Sequence, residues 1–432
     1  MKTVRNSIFL CLFFLVYLGT ANAQWQVTFG PFGFNFIRVQ CFAKQGTNLF
    51  AGTLGDGVWI STNNSASDWT KVSTGLTGKN VSALLANGTN LFAGTDSGAF
   101  VSTDNGTNWI SVNNGLTDRH ISSLALIGDN LFAGTNGGGV FLSSDNGLSW
   151  TTVNSDLTNL YVTALAVSGT NLFAGTFTPA YFSHGGVFLS TNNGTNWTQV
   201  NTGLTDTSIF SLAVSGSNLF AASLEAPTFP PSYRVFASTD DGTSWSLANT
   251  GLPTSQEITF AVSGTNVFAG AYSNGVYLTT NSGANWIEVN QGFGTSRTIR
   301  SLAVLGEDIF AGFYDGSVYR RPLSQMITLV EQISDLQPIQ FFLEQNYPNP
   351  FNPSTKIRWQ APEDSWQTLK VYDVLGNEVA VLIDEWKPAG NYETNFNASS
   401  LSSGVYTYKL QVYPAEGGVG NFNQTKKLIL MK

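Results

Sequence analysis

The sequence predicts an all-β protein with a repeated architecture, and three observations lead to that prediction. The 432 residues include 44 glycines and 31 phenylalanines but only 11% charged residues, a composition typical of many short strands joined by turns. The phrase Asn48-Leu-Phe-Ala-Gly-Thr53 occurs seven times, counting three looser copies. Between the copies, short apolar or alternating runs are separated by Gly, Asn and Asp turns and show no helical periodicity.

The period of the repeat indicates the kind of architecture. The central phenylalanines are 42, 40, 41, 47, 48 and 42 residues apart. They are Phe50, Phe92, Phe132, Phe173, Phe220, Phe268 and Phe310. This spacing is typical of propeller blades or helical repeats, and four short strands per repeat indicate blades. We predict a seven-bladed β-propeller over residues 24–321, with each phenylalanine packed between blades and the following Ala and Gly allowing adjacent sheets to approach closely.

The seventh repeat lacks a fourth strand of its own. Its three strands are followed by no tryptophan strand, whereas Gln24-Trp25-Gln-Val-Thr-Phe-Gly resembles the fourth strands of other repeats, such as Trp69-Thr-Lys-Val72. We expect this N-terminal strand to complete the last blade, so that the ring closes and no edge strand stays unpaired. The alternative is an open or six-bladed ring with a ragged seventh unit.

A second phrase recurs between the third and fourth strands of the repeats. Five copies follow the pattern Ser/Thr-x-Asp/Asn-x-Gly-x-x-Trp and begin at Ser102, Ser143, Ser190, Ser238 and Thr279. A degenerate copy without the glycine spans Ser61 to Trp69. These segments resemble the Asp-boxes, or BNR repeats, of β-propellers in sialidases, sortilin-type receptors and photosystem assembly factors.

The boxes allow a functional and a structural interpretation. Asp104, Asp145 and Asp240 could be ligands or catalysts. However, Asn192 and Asn281 occupy the same position in other copies and cannot replace a carboxylate in acid–base chemistry. Asp and Asn can both accept hydrogen bonds from turn amides, Gly accepts a positive φ, and Trp buries its ring beside the next strand. We therefore predict that the boxes are structural hairpins.

The repeat pattern stops after Arg321. We predict a linker over residues 322–342 and a small immunoglobulin-like β-sandwich over residues 343–432, where strands are broken by Gly-Asn and Ser-Gly turns. Asn346-Tyr-Pro-Asn-Pro-Phe-Asn-Pro-Ser354, Leu401-Ser-Ser-Gly-Val-Tyr406 and the Lys-Lys ending resemble the C-terminal sorting domain of type IX secretion cargo. The resemblance implies recognition by the type IX secretion machinery. The alternative is a module that only packs on the propeller.

The N-terminus predicts export. In residues 1–23, two basic side chains precede an apolar run from Ile8 to Leu18, and the segment ends in Ala21-Asn-Ala23, the pattern of a signal peptide cleaved after Ala23. A retained membrane anchor is the alternative, although the run is short for a span. Cleavage would take the formal net charge from −8 to −10 and leave Cys41 as the only thiol. We therefore expect no internal disulfide and no nucleic-acid partner.

The two terminal segments together predict a route through the periplasm to the medium or the outer cell surface. No other stretch is long and apolar enough to span a bilayer, so we expect no membrane span in the mature chain, and we expect a monomer. The chain has only two histidines, no Gly-rich phosphate loop and no Gly-x-Ser-x-Gly elbow. We therefore expect no metal site and no cofactor.

The predicted function is non-catalytic binding of an extracellular glycan or protein. In a four-stranded blade, the second-to-third and fourth-to-first connections open on the face opposite the boxes, and two of these connections are long and rich in aromatics and prolines. The candidate ligand-binding residues are Tyr181, Phe182, His184, Phe229, Tyr233, Arg234, Arg119 and Arg297. The alternative for these loops is that they pack on each other as a cap.

A surface glycoside hydrolase is the alternative function. The blades contain arginines that a sialidase would need, but the chain lacks the Phe-Arg-Ile-Pro start of that family and offers only Phe36-Ile-Arg-Val39. A hydrolase with paired carboxylates needs only two acids about 5 to 10 Å apart across the channel. The acids in loops of the appropriate face are Asp118, Asp206, Glu225 and Glu257. An aromatic shelf without paired acids would instead favour binding.

Overall fold

The structure is a computed structural model, and it divides the chain into two compact units, Met1–Met326 and Ile327–Lys432. It describes residues 24–28, 37–63, 66–177, 185–225, 232–253, 257–294, 297–326, 341–414 and 422–431. The predicted signal peptide and most of the predicted linker lie outside these residues. The predicted boundaries at residues 23, 321 and 342 stay predictions.

The first four blades are antiparallel sheets that follow the short strand β1 (Gln26–Thr28). Blade 1 consists of β2 (Val39–Gln45), β3 (Asn48–Thr53), β4 (Gly57–Ser61) and β5 (Thr70–Lys71). Blade 2 consists of β6 (Val81–Asn87), β7 (Asn90–Thr95), β8 (Gly98–Ser102) and β9 (Ile110–Ser111). Blade 3 consists of β10 (Ile121–Ile127), β11 (Asn130–Thr135), β12 (Gly139–Ser143) and β13 (Thr151–Thr152). Blade 4 consists of β14 (Val162–Ser168), β15 (Asn171–Thr176), β16 (Gly186–Ser190) and β17 (Thr198–Gln199).

The remaining three blades repeat the same order, and the last one takes its fourth strand from the N-terminus. Blade 5 consists of β18 (Ser208–Ser215), β19 (Asn218–Glu225), β20 (Ser232–Ser238) and β21 (Ser246–Leu247). Blade 6 consists of β22 (Ile258–Ser263), β23 (Asn266–Ala271), β24 (Gly275–Thr279) and β25 (Ile287–Glu288). Blade 7 consists of β26 (Ile299–Leu305), β27 (Asp308–Phe313), β28 (Val318–Pro322) and β1.

The seven blades form a closed ring. The first strand of each blade contacts the first strand of the next, and β26 of blade 7 contacts β2 of blade 1. At that junction, Ser301 Oγ donates a hydrogen bond of 3.0 Å to Val39 O. Strand β1 pairs antiparallel with β28, and the buried indole of Trp25 donates to Val289 O at 2.7 Å. The predicted seven-bladed propeller closed by an N-terminal strand is confirmed.

The phenylalanine of each repeat is buried at a blade interface. All seven have at most 3% of their surface exposed. Phe132 of blade 3, for example, belongs to an apolar cluster with Phe188 and Trp197 of blade 4. A Cβ added to Gly134, two residues further on, would lie 2.7 Å from Val162 Cγ1, so glycine is needed for the close approach of the two blades. Seven similar interfaces explain why one phrase recurs seven times.

The segments predicted as Asp-boxes form hairpin turns held by their polar side chains. Asp145 accepts hydrogen bonds from Ser149 Oγ at 2.6 Å, from Ser149 N at 2.9 Å and from Ser143 Oγ at 2.7 Å. These bonds, those from Ser149 first, lower the pKa of Asp145 to about 2. Asn192 Oδ1 accepts the equivalent backbone bond from Asn196 N at 2.9 Å. Because an amide holds the same turn, the geometry supports the structural interpretation of the boxes.

The second unit is a β-sandwich of two sheets around one apolar core. One sheet has the order β29 (Phe342–Leu343), β30 (Ser354–Ala361), β33 (Gly390–Asn397). The other has the order β32 (Glu378–Lys387), β31 (Ser365–Tyr372), β34 (Gly404–Pro414), β35 (Phe422–Leu430).

The Asn-Tyr-Pro-Asn-Pro-Phe motif holds the free edge of the last strand, β35. Asn349 Oδ1 accepts a hydrogen bond from Ile429 N at 2.8 Å, and Phe351 N donates to Ile429 O at 3.0 Å. The buried Asn346 donates from its side chain to Thr355 Oγ1 at 2.9 Å. The motif therefore satisfies backbone groups that an edge strand would otherwise leave unpaired.

Candidate ligand-binding site

The antiparallel order of the strands divides the connections of every blade between two faces. The second-to-third and fourth-to-first connections open on one face, the loop face. The first-to-second hairpins and the predicted boxes lie on the other, the box face. On the loop face, Tyr272 N donates to Glu257 O at 2.9 Å, and Tyr314 N donates to Thr298 O at 3.0 Å. This backbone bond brings the residue after the second strand next to the residue before the first strand.

A series of aromatic rings joins blades 4 and 5 on the loop face. Phe177, which follows β15, contacts Phe210 of β18 with ring centroids 5.0 Å apart. Phe210 meets Tyr233 of β20 edge-on at 5.2 Å. Burial raises the pKa of Tyr233, and the Glu257 carboxylate raises it further, against the opposing effect of Arg300. The Tyr233 phenol is therefore neutral at physiological pH and able to donate a hydrogen bond.

Blades 6 and 7 contribute a second group, in which two tyrosines lie around an arginine. Tyr272 and Tyr314 occupy equivalent positions and contact each other edge to face, with centroids 6.3 Å apart. The guanidinium carbon of Arg300 lies 5.7 Å from the Tyr272 centroid and 5.9 Å from the Tyr314 centroid. Arg300 also forms an ion pair with Glu257. Its Nε atom is buried and has no hydrogen-bond partner among the residues that the structure describes.

Blade 1 adds a second arginine to this group. The guanidinium carbon of Arg38 lies 3.8 Å from the Tyr314 ring centroid, and Arg38 Nη2 donates to the Tyr314 hydroxyl. Since Arg38 precedes β2 and Tyr314 follows β27, this contact joins blades 1 and 7. We name these two groups together the loop-face cluster, because the charges of Glu257 and Arg300 act on the Tyr233 phenol. It consists of Phe177, Phe210, Tyr233, Glu257, Tyr272, Arg300, Tyr314 and Arg38.

Three of the four acids considered for catalysis are engaged by donors or cations. Glu257 pairs with Arg300, and Asp206 lies 3.8 Å from Arg234 Nη1. Asp118 accepts a hydrogen bond of 2.9 Å from Gly138 N. The side chain of Glu225 lies outside the described part. Within the described ranges, no group of three or more His, Cys, Asp or Glu residues is placed to hold a metal ion.

The eight candidate residues fall into three groups. Tyr181, Phe182, His184 and Phe229 lie outside the described residues. Tyr233 belongs to the loop-face cluster, and Arg234 follows it on β20. Arg119 and Arg297 are exposed, and Arg297 forms an ion pair of 3.2 Å with Glu288 of the outer strand β25. Topology assigns a loop to a face, but it does not say toward which neighbour a long side chain extends.

Sequence reasoning selected only Tyr233 among the five aromatic members of the cluster, and three of the other four share one position in their repeats. Phe177, Tyr272 and Tyr314 each stand four residues after the buried phenylalanine of their repeat. The same position in blades 1 to 3 holds Leu54, Asp96 and Asn136. An alignment of the repeats on that phenylalanine would have shown aromatic residues at one position of three blades.

Comparison with known proteins identifies the second unit. Residues 345–430 match the family described as the secretion system C-terminal sorting domain. This segment is a type IX sorting domain. The protein is therefore exported to the cell surface or secreted. Among the described residues, no helix has the length and apolar character needed to cross a bilayer. No curated protein matches the chain.

Solved structures with a similar fold are propeller proteins of low sequence identity. The extracellular domain of a putative one component system from B. thetaiotaomicron is 12% identical, with a TM-score of 0.56, over 95% of this chain and 59% of that one. An ancestral GH74 enzyme is 18% identical, with a TM-score of 0.55, over 94% and 63%. YCF48 bound to a D1 peptide is 11% identical, with a TM-score of 0.52, over 69% and 96%. This chain thus spans less than two thirds of the first two structures, and at these identities the likeness shows the fold alone.

Proposed function

We propose that the exported propeller is a non-catalytic binding module and that its loop face binds an extracellular glycan or protein. The observation that supports this most directly is the loop-face cluster, in which blades 4 to 7 and blade 1 contribute five aromatic rings and two arginines. Aromatic faces stack on sugar rings and on planar side chains, and arginines bind carboxylates and hydroxyl groups. The cluster therefore combines the two chemistries that a polar ligand with apolar faces requires.

The arginines of the cluster are held in place before any ligand arrives. Arg300 is fixed by its ion pair with Glu257 and lies near the rings of Tyr272 and Tyr314, and Arg38 lies on the Tyr314 ring. Such prior ordering reduces the side-chain entropy that binding would otherwise cost. The buried Arg300 Nε is a donor that a ligand oxygen could satisfy. These features support binding at the side of the loop face formed by blades 6, 7 and 1.

The arrangement of the acids favours binding over hydrolysis. A glycosidase needs one carboxyl group that donates a proton and one that stays ionised. The Glu257 carboxylate is paired with Arg300, and Asp206 lies 3.8 Å from Arg234 Nη1, so a cation engages each of these two acids. Related propellers include both an enzyme and a protein bound to a peptide, so the fold itself does not choose between the two functions.

A glycan array probed with the full-length exported protein tests the proposal. A hit should be weakened by Tyr272→Ala and by Tyr314→Ala, since each removes one ring beside Arg300, and we expect about a tenfold loss in affinity for each. Asn136→Ala is the matched control, because Asn136 occupies the same position in blade 3 and lies outside the cluster. Equal effects of the control and the two tyrosine variants would contradict the proposal.

Activity assays on the same glycans test the alternative function. Release of reducing ends that is lost in Glu257→Gln, with binding retained, would favour a hydrolase.

We also propose that residues 1–23 are removed during export, that residues 24–321 form the mature propeller, and that the protein acts as a monomer.

A further inference from the structure

The junction of blades 7 and 1 contains a cavity on the box face, away from the loop-face cluster. Its volume is about 300 Å³, at the lower end of small-molecule sites. Its lining includes Lys44, Glu307, Asp308, Phe310 and Arg320. We name it the seam cavity, because it lies where the N-terminal strand closes the ring.

Three of these residues are charged at positions that are uncharged in the other blades. Lys44 lies opposite Leu49 in the β2–β3 pair, and Arg320 lies opposite Phe310 in the β27–β28 pair. The positions equivalent to Lys44 hold Ala86, Leu126, Val167, Val214, Val262 and Val304. The positions equivalent to Arg320 hold Ile60, Val101, Leu142, Leu189, Ala237 and Leu278. Asp308 replaces the asparagine that begins the second strand of the other six blades.

The seam is also the junction where the predicted box is degenerate. At four other junctions, the box glycine packs against the phenylalanine of the preceding blade. A Cβ added to Gly106 would lie 3.5 Å from Phe50, and one added to Gly147 would lie 3.6 Å from Phe92. The copy in blade 1 has no glycine, and its Asn63 lines the cavity. The seam therefore has an open space beside Phe310.

The seam cavity offers both hydrogen-bond donors and acceptors. Arg320 Nη2 pairs with Asp308 Oδ2 at 2.9 Å, but the buried Arg320 Nε has no partner within the described ranges. Lys44 and Glu307 are exposed. The Lys44 ammonium lies close to Gly306, since a Cβ added to that glycine would be 2.8 Å from Lys44 Nζ. The two cations and two carboxylates of the lining have no net charge. An anionic ligand would therefore be repelled by the carboxylates, and a cationic ligand would be repelled by Lys44 and Arg320.

We propose that the seam cavity binds an uncharged sugar residue. A neutral sugar presents hydroxyl groups that donate and accept, which match the ammonium and guanidinium donors and the Glu307 acceptor. It also presents an apolar C–H face, and Leu49 and Phe310 provide apolar side chains in the lining. This site lies on the face opposite the loop-face cluster, so the proposal does not depend on the function proposed above.

Ligand-observed NMR on the full-length protein tests this proposal. The probes are D-glucose, D-galactose, D-mannose and N-acetyl-D-glucosamine at millimolar concentration. At least one should bind, and Lys44→Ala and Glu307→Ala should each weaken that binding by at least about tenfold. Lys44→Ala introduces the residue found at this position in blade 2, so the fold should be kept. Asp129→Ala is the matched control, because Asp129 is the exposed acid of the equivalent hairpin in blade 3.

Three results would overturn the proposal. The first is that none of the four sugars binds. The second is that binding is unchanged by both Lys44→Ala and Glu307→Ala. The third is that glycine or acetate binds in competition with the sugar and loses affinity in the same variants, because the cavity would then select a charged ligand.

Discussion

Replacing Phe132 by alanine tests how the blades are held together. The ring is fully buried, with 0% of its surface exposed, in a cluster formed by blades 3 and 4. Removing such a side chain typically lowers the free energy of unfolding by about 3–5 kcal/mol, because the transfer free energy of the ring is lost and a cavity is left behind. We expect the upper half of that range, since the neighbours include Ala125 and Ala174, whose methyl groups are too short to fill the space.

Differential scanning calorimetry of the full-length protein provides the measurement. For a unit of this size, 1 kcal/mol corresponds to about 2 °C, so the Tm of the propeller transition should fall by about 8–10 °C. Asp145→Asn should change the Tm much less, because Asn192 holds the same turn in blade 4. Leu148→Ala is the control for a change on the surface, since 67% of Leu148 is exposed.

The order of the three changes in Tm distinguishes a packing role of the repeated phrase from a ligand-binding role. If Phe132 holds blades 3 and 4 together, its variant shows a much larger loss of Tm than the other two. If the repeated phrase were a ligand motif, Phe132→Ala would abolish binding and leave the Tm where Leu148→Ala leaves it. That second pattern would refute the packing argument, because a fully buried ring cannot be lost from an interface without cost.

Two further predictions concern export and pH. Deletion of residues 346–432 should leave the propeller in the periplasm, because the type IX sorting domain is then missing. Immunoblots of the periplasm and the medium measure this, and normal secretion of the truncated chain would contradict the prediction. Hydrogen bonds from Ser149 lower the pKa of Asp145 from 3.8 to about 2, so its stabilising contribution is complete above 3.8 and disappears as the pH falls through the folded pKa. Urea denaturation should show a loss of stability between these two pH values that is smaller in Asp145→Asn, and identical pH profiles of the two proteins would argue against this assignment.

The fold could be predicted from the sequence because its information is repeated. Seven copies of one phrase fix the number of blades, and each copy places one phenylalanine at an interface. The closing strand could also be predicted, because Trp25 resembles the tryptophan that begins the fourth strand of other blades. The sorting domain was accessible for a different reason, since its motif around Asn346 serves specific hydrogen bonds of the sandwich and therefore tolerates few substitutes.

The candidate site could be predicted only as a face of the propeller. The contact between Arg38 and Tyr314 joins residues 276 positions apart and exists only because the ring closes. Arg297 and Arg300 are three residues apart in the sequence, yet their ion pairs differ: Arg297 pairs with Glu288 of the outer strand, and Arg300 pairs with Glu257 of the cluster. The direction of each side chain depends on register and on which carboxylate is in reach, and neither follows from composition or spacing.

The two faces of the propeller differ in how freely their residues can vary. On the box face, the turn side chains and the glycine must fit the preceding blade, so a change there alters an interface. On the loop face, the residue after the second strand is positioned by a backbone hydrogen bond, as in Tyr272 N to Glu257 O, whatever its side chain is. That position can therefore hold Leu54 in blade 1 and Tyr314 in blade 7 without loss of the blade. We expect ligand recognition where a side chain can change without altering the contact between blades. Those places are the loop face and, on the box face, the seam cavity, where the repeat is broken.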